Sequence, residues 1–163
     1  MTQAAYELPT ANRAYRLARV AFVHALWHAD IVRQVHTGFV EAMTAAGFPA
    51  EAIDRFETPG AFELPLHAQT LAKTGRYAAV VAAALVVDGG IYRHDFVAGT
   101  VVNALMQVQL ATETPVFSVV LTPHQFHDHD VHQRFFHEHF RLKGAEAARA
   151  CSATLESLAR LAA

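Results

Sequence analysis

Residues 78–87 read Ala78-Ala79-Val80-Val81-Ala82-Ala83-Ala84-Leu85-Val86-Val87, an unbroken apolar run closed by Asp88-Gly89-Gly90. A membrane span needs about 18–20 apolar residues, so this stretch is too short to be one. Its length and its valines suit a central strand buried on both faces, the kind that parallel sheets contain. Three further strands are expected around it. Val20-Ala21-Phe22-Val23 is a shorter apolar run, Ile53 to Glu57 alternates, and Val116 to Leu121 follows Pro115.

Between these segments the period changes. Ile31, Val35, Phe39 and Met43 recur at spacing four and form one helix face. Asp30 is placed to cap that helix, and Gly47 to supply a left-handed residue beyond it. Thr58-Pro59-Gly60 interrupts the pattern, and Pro65 suits the first turn of a helix through Leu66 and Leu71 to about Gly75. A long amphipathic helix starts at about Phe96. The final helical part is expected to be split, with a last helix over about 145–161. Short apolar strands alternating with amphipathic helices imply right-handed crossovers and a parallel sheet covered on both faces. The 163 residues suit one domain, with residues 1–18 as an N-terminal arm.

Apolar residues make up 53% and charged residues 17%, against about 45–50% and about 25% in ordinary globular chains. The excess argues against disorder and points to surface hidden in an oligomer. Thirteen basic and fifteen acidic residues give a net charge of −2, so no nucleic-acid partner is expected. Cys151 is the single cysteine, which excludes an intrachain disulfide and a Cys-rich zinc site. The first 19 residues lack the apolar core of a signal peptide. A cytoplasmic protein without a membrane partner is the expectation.

Ligands of open parallel sheets bind beyond the carboxyl ends of the strands, so the loops there are the first place to look for chemistry. Trp27 follows the first strand, and two roles are open to it: a core plug or a stacking platform for a flat ring. Pro59-Gly60-Ala61-Phe62-Glu63 follows the second, as an ordinary turn or as a helix start whose free N–H groups and carboxylate bind polar oxygens. Gly89-Gly90 after the third resembles an anion cradle but matches neither dinucleotide nor P-loop patterns. His94 lies at the first turn of the next helix, where a histidine beside an anion can take up a proton and return it. Six of the eleven histidines fall between His124 and His139. No HExxH motif and no clear acidic third ligand accompanies them, so a metal site is not expected.

Five segments appear in a specific order: Trp27-His28-Ala29-Asp30-Ile31-Val32, Pro59-Gly60-Ala61-Phe62-Glu63-Leu64-Pro65, Gly89-Gly90-Ile91-Tyr92-Arg93-His94-Asp95-Phe96-Val97, Val119-Val120-Leu121-Thr122-Pro123 and Lys143-Gly144-Ala145-Glu146-Ala147-Ala148. From about Arg19 to the C-terminus the chain resembles the 6,7-dimethyl-8-ribityllumazine synthases. It looks most like the type II form of rhizobia and Brucella. The resemblance implies the lumazine synthase fold, a flavodoxin-like three-layer α/β/α sandwich around a four-stranded parallel sheet. It implies a transferase that condenses 5-amino-6-(D-ribitylamino)uracil with 3,4-dihydroxy-2-butanone 4-phosphate, releasing phosphate and water, with no metal or organic cofactor.

By position, the resemblance gives His94 the catalytic role. Trp27 takes the place of the aromatic that stacks on the pyrimidine. Gly60, Ala61, Phe62 and Glu63 fall at the ribityl chain, and Val87 and Asp88 at the uracil pocket. Gly90, Ile91 and Tyr92 fall where backbone N–H groups hold phosphate, and Lys143 at the ribityl and phosphate end. Three departures stand out. His132 occupies the place of a phosphate-binding arginine, with Arg134 as the alternative. Ser118 replaces an aromatic of the fourth strand, with Phe117 adjacent. The stretch from His132 to Lys143 is longer than in the common form. The resemblance also implies a homo-oligomer of pentamers, assembled as a decamer, with Trp27 and Glu63 of one subunit facing Ser118 and His132 of the next.

Two other functions compete. A receiver-like module would use Asp88 as phospho-acceptor, but the first strand ends without the acidic pair that holds Mg²⁺. A flavin carrier or purely structural assembly would keep the fold without turnover; His94 and the PGAFE segment argue against it.

Overall fold

A computed structural model describes residues 18–88, 93–123 and 130–162, with the side chains of 130–133 excepted. The strands are β1 (Val20–Ala25), β2 (Ile53–Thr58), β3 (Ala79–Leu85) and β4 (Val116–Leu121). The helices are α1 (Ala29–Ala45), α2 (Leu64–Lys73), α3 (His94–Thr112) and α4 (Asp130–Leu161), with short 3₁₀ turns at Ala50–Ala52 and Ala61–Glu63. The strands pair in parallel in the order β2-β1-β3-β4.

All seven residues of β3 are buried, as the apolar run demands. Its alternate side chains feed two separate cores. Val81, Ala83 and Leu85 join α1 and α4 through Val32, Val35, Phe39, Phe140 and Ala148. Val80, Ala82 and Ala84 join α2 and α3 through Leu64, Ala68, Val101 and Leu105. Two helices cover each face, giving the three-layer α/β/α sandwich. Apolar burial of this kind, at about 25 cal/mol per Å², is the main force holding the layers together.

Several local expectations change. β3 ends at Leu85, two residues before the apolar run does, and α3 begins at His94 rather than Phe96. Asp30 does not cap α1. It sits inside the first turn, and the N-cap is His28, in the left-handed region at φ 54° with no side-chain cap. Gly47 does take the left-handed conformation beyond α1, at φ 87°.

The largest correction concerns the end of the chain. The last helix is a single element of 32 residues, not two pieces. The helix runs through Gly144, whose missing Cβ admits the neighbouring helix. A Cβ there would overlap the Val35 carbonyl, and one at Gly38 would overlap the Arg141 carbonyl. Paired glycines let α1 and α4 touch backbone to backbone.

Candidate active site

The carboxyl ends of the strands gather most of the singled-out residues. β1 and β2 are tied there by the Leu26 N–H, which donates to the Thr58 carbonyl at 2.9 Å. Trp27 follows immediately, and His28 in its left-handed conformation then turns the chain into α1. The indole is 72% exposed, so the core-plug reading fails. An aromatic face left in solvent beside a ligand-binding edge is suited to stacking.

The adjacent turn is held by its own side chains. The Thr58 hydroxyl donates to the Gly60 carbonyl at 2.9 Å. The Gly60 N–H donates to Glu63 Oε2, also at 2.9 Å, which closes a capping box over Ala61–Glu63. Pro65 then enters the first turn of α2 as expected. The turn packs against α3 and β3, which brings it beside the third loop. Ala61 faces the core, whereas Phe62 is two-thirds exposed.

Beyond β3, one oxygen organises the start of α3. Asp88 Oδ1 accepts from the His94 backbone N–H at 2.7 Å and stands 2.8 Å from the ring Nδ1. The backbone N–H, and after it the ring, hold the Asp88 carboxyl below its usual range. An ionised carboxylate only accepts, so Nδ1 carries the hydrogen. Nε2 is then the nitrogen whose lone pair a neutral ring offers for proton transfer. Arg93 reaches Asp95 at 2.8 Å and lies over the Phe96 ring at 4.8 Å.

The other singled-out side chains point away from this pair or lie elsewhere in the protomer. Val87 packs against the α1/α4 core. Ser118 is exposed in the middle of β4, level with Ala82 rather than with the strand ends. Lys143 and Arg134 are on α4, across the sheet from α3. Lys143 pairs with Glu146 at 2.7 Å. Gly90, Ile91 and Tyr92 lie outside the described residues, as do His124, His127, His129 and the side chain of His132. His137 and His139 diverge, as residues two apart on a helix must. His137 meets Asp30 at 3.4 Å, whereas His139 stacks on Phe135. Among the described residues, no group of three or more His, Cys, Asp or Glu is arranged to hold a metal.

The model of the 6,7-dimethyl-8-ribityllumazine synthase family matches residues 17–159. The chain belongs to the lumazine synthase family. A lumazine synthase of Rhodococcus erythropolis is 61% identical over 143 residues, spanning 88% of this chain and 92% of that one. A protein named lumazine synthase 2 from Pseudomonas syringae pv. tomato is 59% identical over 150 residues, 92% of this chain and 88% of its own. A lumazine synthase 1 of Caulobacter vibrioides is 38% identical over 143 residues, 88% of this chain and 92% of that one. The four-stranded parallel sandwich is the lumazine synthase fold. This lumazine synthase is accordingly a transferase of riboflavin biosynthesis.

Sequence reasoning missed the Asp88–His94 pair and buried His24. The first spans a glycine-rich loop at a spacing of six, which has no periodic signature. The second hides inside β1, where its Nε2 has no hydrogen-bond partner among the described residues and lies 3.6 Å from Glu57.

Proposed function

We propose that this lumazine synthase uses His94 to carry protons while Trp27 holds the pyrimidine by stacking. The primary amine of the ribitylaminouracil attacks the ketone of the butanone phosphate, and loss of water gives an imine. Elimination of phosphate and ring closure, with loss of a second water, complete the lumazine. Each step moves protons, which an imidazole near neutrality can accept and return. Holding the two substrates together supplies much of the acceleration, since positioning can contribute about 7–11 kcal/mol.

The observation carrying this reading is the clustering of three loops at one end of the sheet: exposed Trp27, the capped turn ending at Glu63, and His94 at the head of α3. Gly60, Ala61, Phe62 and Glu63 take the ribityl chain, and Val87 and Asp88 border the uracil. Gly90, Ile91 and Tyr92 receive the phosphate, aided by His132, Arg134 or Lys143. No metal or organic cofactor takes part in this scheme.

The subunit does not work alone in this reading. Phe62, Leu66, Phe96, Met106 and Leu110 are all more than half exposed, and Ser118 is exposed on β4, the edge strand among the described residues. So much apolar surface outside a core marks an interaction surface. We assign it to pentamers, paired into a decamer, in which Ser118 and His132 of one subunit close the Trp27 side of the next. The identity of 59% to a lumazine synthase 2, against 38% to a lumazine synthase 1, supports the type II form. A cytoplasmic location fits the buried, unpaired Cys151.

Subunit mixing tests the shared site. Trp27→Ala and His132→Ala chains, each weakly active, are unfolded, mixed and reassembled. Activity above the mean of the two parents is expected, because some sites then combine two intact halves. Activity equal to that mean would place both residues in one subunit's site and contradict the reading.

A further inference from the structure

We propose that Asp88 is a positioning residue, which fixes the tautomer and the orientation of His94 and so determines which nitrogen meets the substrates. The inference rests on the reading of His94 as the proton carrier. It goes beyond placing Asp88 along the uracil pocket, because it makes the carboxylate act through the histidine.

The geometry is specific. A single oxygen, Oδ1, receives two hydrogens from one residue: the backbone N–H at 2.7 Å and the ring Nδ1–H at 2.8 Å. The first contact anchors the opening turn of α3. The second leaves the imidazole one orientation about its side-chain torsions. Neutral imidazole otherwise exchanges its hydrogen between two nitrogens, and a carboxylate on one of them settles the choice. With the hydrogen on Nδ1, Nε2 takes a proton from the attacking amine and later returns it to a departing oxygen. Asp88 stays ionised throughout, and no net proton is gained. Its side chain remains 64% exposed, so it exerts its effect by direct contact rather than by burial. The arrangement also explains how the loop following β3 sets the chemistry of α3 although six positions separate the two residues.

A purely structural cap would also slow the enzyme when lost, so the test must separate the two roles. Turnover at saturating concentrations of both substrates is measured for wild type, Asp88→Ala, His94→Ala and the double variant. Asp88→Ala is expected to lower kcat about 3–10-fold when His94 is present, and to have no further effect when His94 is alanine. Asp88→Asn keeps an acceptor for the His94 backbone N–H but no longer offers Nδ1 a carboxylate, so it is expected to fold like wild type and still to lower kcat when His94 is present, which covers poor folding of the alanine variant. Equal losses from Asp88→Ala in both backgrounds would overturn the positioning role while leaving His94 catalytic. A rise confined to the pyrimidine KM would do the same and make Asp88 a substrate contact. An unchanged kcat in His94→Ala would overturn both the inference and the reading beneath it.

Discussion

Gly144 of α4 rests against the backbone carbonyl of Val35 in α1, leaving no room for a side chain between the two helices. Gly38 makes the reciprocal approach to the carbonyl of Arg141. Both obstacles are backbone and cannot rotate away. Gly144→Ala is therefore expected to force the helices apart, with an overpacking cost of about 1–3 kcal/mol. Thermal unfolding should show a lower midpoint for Gly144→Ala than for wild type. An equal midpoint would contradict the close contact.

Two histidines make the fold acid-sensitive. Burial, with Arg55 and His24 adding repulsion, lowers the His36 imidazole to about 4. Burial likewise lowers His24. A neutral histidine in the fold faces one that protonates near 6.5 when unfolded, so below that pH the unfolded chain binds more protons. Stability is thus complete above about pH 6.5 and falls as the pH drops toward 4, by up to about 3 kcal/mol from His36. His36→Phe, which can keep the edge contact with Phe22, should flatten this decline in pH-dependent unfolding. An identical decline in that variant would contradict the assignment.

Much of the fold was legible because local pattern and tertiary environment agree. The ten apolar residues around β3 can be satisfied only between two layers, and β4 fell on 116–121 as read. Gly47 and Pro65 did what their backbone chemistry favours. The expected split of the last helix failed, because a contact such as that of Gly144 with α1, which holds one long helix against another, leaves no periodic mark in the sequence. Trp27 was ambiguous for a related reason: only the packed loops reveal that no core reaches it. His94 was legible as a candidate, whereas its partner was not, since a bond across a loop leaves no spacing rule.

The exposed indole gives a direct binding signal. Trp27 is the single tryptophan, so fluorescence excited at wavelengths beyond the tyrosine band reports its surroundings alone. Lumazine binding should quench it. Trp27→Ala should raise the pyrimidine KM about tenfold or more, since stacking on a base is worth about 1–3 kcal/mol. Tm should hardly change, as the side chain buries little. A large loss of stability with an unaltered KM would refute the stacking role.

If His132 is the residue that holds the phosphate, phosphate binding should depend on pH. An ordinary imidazole is only partly charged near neutrality, whereas guanidinium is always charged. The KM for the butanone phosphate is expected to rise from pH 6 to pH 8. His132→Arg should lower that KM and remove most of its slope. If Arg134→Ala alone abolishes phosphate affinity, the role belongs to Arg134.

The most direct test is turnover itself. Purified protein is mixed with 5-amino-6-(D-ribitylamino)uracil and 3,4-dihydroxy-2-butanone 4-phosphate, while lumazine absorbance and released phosphate are followed together. The two products should appear in equal amounts, with His94→Ala slower but still active. Tight riboflavin binding without lumazine formation would mark a flavin carrier and contradict the account.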